Sequence, residues 1–79
     1  MKAKVTVKLK NGVLDPQGKA VQHAAQALGF GEVQDVRVGK AFEVAWEGGT
    51  PEQAKERLKQ LSEKLLANTV IESFEIEIV

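Results

Sequence analysis

From Ala3 to Lys10 the chain alternates residue by residue, with Ala3, Val5, Val7 and Leu9 on one side and Lys4, Thr6, Lys8 and Lys10 on the other. A period of two over this length predicts a strand with one buried and one solvated face. The pattern breaks at Asn11-Gly12, and Asp15-Pro16 then carries the chemistry of a helix start. The Asp15 carboxylate can accept hydrogen bonds from the first free N–H groups, and Pro16 has the preset φ of a first helical position, where no donor is needed. Val21, Ala24, Ala25 and Leu28 recur at helical spacing as a narrow stripe of mostly small side chains, expected to lie close against a sheet, and Gly29 closes the helix. Gly18 weakens the first turn by up to about 1 kcal/mol relative to alanine. Something is therefore expected to pack tightly there: the chain's own sheet, a neighbouring helix, or a partner subunit.

Val36 and Val38 face one way in a second alternating segment, and Phe42, Val44 and Trp46 share a face in a third. A two-residue loop between them would set Glu43 opposite Val36, among apolar side chains. A loop through Gly39-Lys40-Ala41 instead pairs Val38 with Phe42, Val36 with Val44 and Arg37 with Glu43, and that hairpin is the expected one. Thr50-Pro51-Glu52-Gln53 reads as a capping box with a first-position proline. In the helix that follows, Ala54, Leu58, Leu61 and Leu65 form the expected core stripe, and most of the charged residues lie off it. Asn68 ends this helix, and Phe74, Ile76 and Ile78 alternate with Ser73, Glu75 and Glu77 in a last strand. The order βαββαβ predicts a single α+β domain over residues 1–79, a two-layer ferredoxin-like sandwich. Both helices would cover one face of a four-stranded antiparallel sheet. The other face would be open, with Lys4, Thr6 and Lys8 beside Glu75 and Glu77.

A chain of 79 residues builds only a small core, burying about 60% of its unfolded surface with an expected radius of gyration near 12 Å. Chains of this size usually add disulfides, a metal or a partner; with no cysteine and one histidine, oligomerisation is the expected solution, as a homodimer or homotetramer. Eleven basic residues balance 11 acidic ones, so no long-range field gathers nucleic acid or an anionic membrane. There is no apolar run of membrane-spanning or signal-peptide length, and the lack of cysteine suits a reducing compartment, so a cytoplasmic location is expected.

Catalytic chemistry is hard to place. Thr6, Thr50, Ser62, Thr69 and Ser73 are the available hydroxyls, and His23, expected on the surface of the first helix, is the only imidazole. No motif surrounds any of them, and no metal site is expected from a lone histidine. Gly29-Phe30-Gly31 follows a helix instead of a strand and lacks a third glycine at Gln34, which excludes a dinucleotide loop. An RNA-recognition reading of the same element order fails because Phe42 and Trp46 fall on the core side. Arg37 and Lys40 are the most suggestive cations, either as hairpin residues, with Arg37 paired to Glu43, or as contacts to a partner carboxylate. Asp15 is first of all a helix cap.

Three segments, Gly12-Val13-Leu14-Asp15-Pro16-Gln17-Gly18-Lys19-Ala20-Val21, Val36-Arg37-Val38-Gly39-Lys40 and Leu65-Leu66-Ala67-Asn68-Thr69-Val70-Ile71-Glu72, together resemble the PurS family. This is the family of the small subunit of phosphoribosylformylglycinamidine (FGAM) synthase. The segments fall in family order and span nearly the whole chain. The resemblance implies a small chain that assembles with a glutaminase subunit and an ATP-dependent synthetase subunit in purine biosynthesis. Glutamine supplies ammonia, and the synthetase converts formylglycinamide ribonucleotide to formylglycinamidine ribonucleotide. It implies a subunit that bridges the other two and assists ammonia transfer, with ATP and Mg used by the synthetase and no cofactor held by this chain. Asp15, Gly18, Arg37, Gly39, Lys40 and Asn68 match the pattern and are the candidate subunit-interface residues; no catalytic, cofactor or metal residue is expected. The family often has proline where this chain has Thr69, which leaves the last turn less rigid. The alternative is a regulatory small-molecule-binding domain of the ACT type.

Overall fold

The computed structural model describes all of residues 1–79. Lys2–Leu9 forms strand β1, Pro16–Ala27 helix α1, Gly39–Ala45 strand β2, Pro51–Leu61 helix α2 and Glu72–Ile78 strand β3. Ser62–Leu66 continues α2 as a π-helical turn. The sheet is antiparallel with β1 in the centre, in the order β2-β1-β3. Its two ladders place Val5 between Phe42 and Ile76, and Val7 between Lys40 and Phe74. Lys4 lies opposite Glu77 and Thr6 opposite Glu75 on the other face.

The fold remains α+β, but the expected four-stranded sheet is replaced by one of three strands. Residues 36–38 form no strand, and the hairpin that would pair Arg37 with Glu43 does not exist; Phe42 pairs with Val5 and Val44 with Ala3. The reason lies in where the backbone of residues 33–38 finds its partners. The side-chain amides of Gln22 and Gln26 donate to the carbonyls of Gln34 and Val33, both at 3.0 Å, and the Val38 N–H donates to the Asp15 carboxylate at 2.7 Å. These peptide groups are satisfied by side chains of α1 and its cap, so the segment runs as a strap along the helix.

The helices are not equivalent either. Helix α2 packs on the β3 side of the sheet and buries Ala54 and Leu58, while Val5 and Val7 of the central strand are covered in a cluster with Ala67. Its N-terminus is a complete capping box: Thr50 Oγ1 accepts from the Gln53 N–H at 3.2 Å, and Gln53 Oε1 accepts from the Thr50 N–H at 3.0 Å. At the other end the π turn widens the helix. Ser62 takes the buried position four residues after Leu58, with its hydroxyl donating to the Leu58 carbonyl at 2.8 Å, and Leu65 is turned out to 74% exposure. The expected Leu65 core contact is thereby lost, because a wider turn shifts the phase of every residue after it.

Helix α1 forms no packed interface with the sheet. Its expected contact is absent: Val21 is 47% and Leu28 77% exposed. The molecule measures 49 × 25 × 14 Å with a radius of gyration of 15.9 Å, against about 12 Å for a closed domain of this length. Helix and strap form an arm that projects from the sheet.

Candidate functional site

The joint between arm and sheet is built by three of the candidate residues. Asp15 ends the loop after β1 and is 5% exposed. One carboxylate oxygen accepts the Gly18 N–H at 2.8 Å and the other accepts the Val38 N–H at 2.7 Å. The helix cap is thus also the clasp that holds the strap. These donors, Gly18 first and Val38 second, hold the carboxyl below its ordinary value of 3.8; burial opposes them, and the nearby Arg37 charge adds to them.

Gly18 is buried, and a Cβ there would be driven into the Val36 carbonyl oxygen and would lie 3.0 Å from the Asp15 carboxyl carbon. The tight packing expected at this glycine is therefore with the chain's own strap. Arg37 points back across the joint, where one guanidinium nitrogen donates to the Val13 carbonyl at 2.8 Å and to the Lys10 carbonyl at 3.2 Å. It ties the strap to the loop leaving β1, in place of the expected pairing with Glu43.

The other candidates lie around this joint or in the turn before β3, which the Lys10 N–H joins to it through the Ile71 carbonyl. Gly39 opens β2 opposite Lys8, where a Cβ would sit 2.8 Å from the Val7 carbonyl oxygen. Lys40 follows at the start of the strand, not at a hairpin tip, with its ammonium 5.7 Å from the centre of the Phe42 ring. Asn68 shapes the turn into β3: its side-chain oxygen accepts from the Val70 N–H at 3.2 Å, and its carbonyl accepts from Ile71 and Glu72 at 3.0 and 2.7 Å. Its own N–H donates to the Glu72 carboxylate at 2.8 Å.

Gln22 and Gln26, which hold the strap, carried no signal in the hydrophobic pattern; their one trace is a four-residue spacing on the side of α1 away from Val21 and Leu28. Phe30 was visible only as part of a discounted glycine loop. It follows the helix stop as the second residue of a Schellman motif, with Gly29 at φ 100°, Gly29 N–H on Gln26 O at 3.1 Å and Phe30 N–H on Ala25 O at 3.0 Å. Its ring is 55% exposed.

No three His, Asp or Glu side chains gather to hold an ion, and no helix is long and apolar enough to cross a membrane. What the surface offers instead is apolar contact area: the α1 stripe with Phe30, and a second group at Leu14, Val70 and Ile71 on neighbouring loops joined by the Lys10 N–H to Ile71 carbonyl bond. An arm held out by the hydrogen bonds of its joint, with apolar side chains left uncovered, offers the kind of surface that assembly subunits use.

Comparison with known proteins names the family. Residues 2–79 match the family model PurS, phosphoribosylformylglycinamidine (FGAM) synthase. The chain is 51% identical over 77 residues to the FGAM synthase subunit PurS of Bacillus subtilis, covering 98% of this chain and 90% of the relative. It superposes on the crystal structure of Methanocaldococcus jannaschii PurS, a subunit of formylglycinamide ribonucleotide amidotransferase, with a TM-score of 0.88 at 42% identity, covering 96% of this chain and 92% of the other. It also superposes on a chain of the Thermotoga maritima PurLQS structure with a TM-score of 0.91 at 28% identity, covering 99% and 95%. The chain belongs to the PurS family, the small subunit of FGAM synthase in purine biosynthesis.

Proposed function

We propose that this chain is the non-catalytic subunit that bridges the glutaminase and the ATP-dependent synthetase of FGAM synthase and assists the passage of ammonia between them. The observation that carries this reading is the joint: Asp15, Gly18 and Arg37 hold an apolar arm away from the sheet with hydrogen bonds of 2.7–3.2 Å. Such an arm supplies contact surface for a partner. The PurLQS structure, in which a relative is assembled with PurL and PurQ, supports the same partners for this chain. ATP and Mg are then used on the synthetase, glutamine is hydrolysed on the glutaminase, and this chain holds no cofactor. The work takes place in the cytoplasm.

Within this reading the six candidate residues divide by role. Asp15, Gly18, Arg37 and Gly39 set the direction of the arm and act on the interface through its position. Lys40 and Asn68 are exposed and offer direct polar contacts. The regulatory ACT-type alternative loses to the family assignment. Size-exclusion of the chain mixed with its cognate glutaminase and synthetase tests the proposal: all three should elute together, and Lys40→Ala should weaken the complex without lowering the melting temperature of the free chain. Separate elution of the three proteins under turnover conditions would contradict it.

A further inference from the structure

The turn that receives Arg37 also contains the chain's one Asn-Gly pair. The Val13 N–H donates to the Lys10 carbonyl at 3.1 Å, and Gly12 takes φ 86° at the third position, as a type II turn requires. The Lys10 N–H on the Ile71 carbonyl at 2.8 Å anchors the turn on one side, and the Arg37 guanidinium on the Lys10 and Val13 carbonyls anchors it on the other. Between these anchors one peptide unit is left free: neither the Asn11 carbonyl nor the Gly12 N–H has a backbone partner. Both residues are exposed, and nothing lies within 4 Å of where a Cβ on Gly12 would be. This peptide plane can rotate, because glycine accepts φ of either sign. Rotation brings the Gly12 nitrogen onto the side-chain carbonyl carbon of Asn11.

We propose that Asn11 is a site of spontaneous deamidation, and that its rearranged product loosens the Arg37 tie between strap and turn. The Gly12 nitrogen attacks Asn11 Cγ, the Cγ–Nδ2 bond breaks, and Nδ2 leaves as ammonia with the proton given up by the Gly12 N–H. A cyclic imide remains, and water opens it. Addition at Cγ gives aspartate at position 11. Addition at the main-chain carbonyl gives isoaspartate, with the chain then running through Cβ and Cγ. Either way one water is consumed and one ammonia released, with no change of oxidation state. Isoaspartate adds a carbon to the main chain between the Lys10 and Val13 carbonyls, which one Arg37 nitrogen spans at 3.2 and 2.8 Å, so the turn no longer presents both acceptors together. The other asparagine is protected: Asn68 Oδ1 is held by the Val70 N–H at 3.2 Å, and the β-branched Thr69 crowds the attacking nitrogen. The proposal stands on this turn and is independent of the synthase reading.

Peptide mapping of the purified chain after incubation at mildly alkaline pH tests the site. The Asn11 peptide should gain the mass of an exchange of NH2 for OH and score positive for isoaspartate, while the Asn68 peptide should stay unchanged. Limited digestion of the native chain with trypsin tests the consequence, since cleavage after Arg37 needs that side chain free. This cleavage should become several-fold faster in the incubated chain than in the fresh one. Asn11→Gln, whose longer side chain closes a ring far more slowly, should keep the fresh rate through the same incubation. Freshly prepared Asn11→Asp, which has the charge without the added carbon, should also be cut at the fresh rate. No mass gain at Asn11, or an equal gain at Asn68, overturns the site. An unchanged cleavage rate after Asn11 has been converted overturns the effect on Arg37, as does equal acceleration in incubated Asn11→Gln or fresh Asn11→Asp.

Discussion

A single carboxylate decides where the arm points. Asp15 caps α1 and clasps the strap at once, so its loss should be felt in both. Because its pKa is lowered in the folded state, its contribution to stability is complete above the ordinary value of 3.8 and is lost as pH falls through the lower folded value. Acid titration of the denaturation midpoint should show this loss in the wild type, and Asp15→Asn should show a flatter profile over the same range. Gly18→Ala tests the strap from the other side. Alanine gains about 1 kcal/mol of helix propensity, but the backbone carbonyl of Val36 cannot yield as a flexible side chain would. Overpacking at such a contact outweighs the gain, and a net loss of about 2 kcal/mol in urea unfolding is expected. Arg37→Ala should cost about 1–2 kcal/mol through its two carbonyl partners. Arg37→Lys should recover only part of this, because the ammonium is a freely rotating point charge on a flexible stem, whereas the planar guanidinium loses less freedom per hydrogen bond formed.

The elements differ in how far they could be read in advance. Helix α2 was legible at both levels: its capping box has a local four-residue signature, and Ala54 and Leu58 fall on a stripe that packing then uses. Strands β1 and β3 were legible because alternation and a paired ladder impose the same period. The segment at Val36–Val38 alternates too, yet its partners are Asp15 and, just before it, Gln22 and Gln26 reaching for Gln34 and Val33. Alternation reports an extended backbone and cannot say whether a strand or a helix side chain takes its hydrogen bonds. Leu65 was misplaced because the π turn departs from a 3.6-residue period. Among the candidate site residues, the identities of Asp15, Gly18 and Arg37 were readable from their motif, whereas their meeting at one joint depends on a strap that no local pattern marks. Two substitutions gauge the part that was legible. Thr50→Ala should lower stability by about 1 kcal/mol through the lost cap. Leu58→Ala, at a site with no exposed surface, should cost about 3 kcal/mol or more because so small a core cannot collapse around the cavity. Chemical denaturation measures both.

At the scale of the molecule, the extended shape and the assembly role are one fact. A radius of gyration of 15.9 Å leaves apolar surface that a 79-residue chain could have covered by closing, and surface kept open in this way is covered by association. Association raises stability by mass action, so the melting temperature of the free chain should rise with protein concentration. A melting temperature independent of concentration would mean that the isolated arm is stable without a partner. Under the proposed bridging role, shape and contact are what this chain contributes to its complex.

Reconstituted turnover tests that claim most directly. With cognate glutaminase and synthetase, ATP, Mg and formylglycinamide ribonucleotide, glutamine-dependent amidine formation should require this chain. The chain alone should turn over neither glutamine nor ATP, and high free ammonia should at least partly replace glutamine and the glutaminase. Full glutamine-dependent activity without the chain, or glutamine hydrolysis by the purified chain alone, would contradict a non-catalytic bridging subunit.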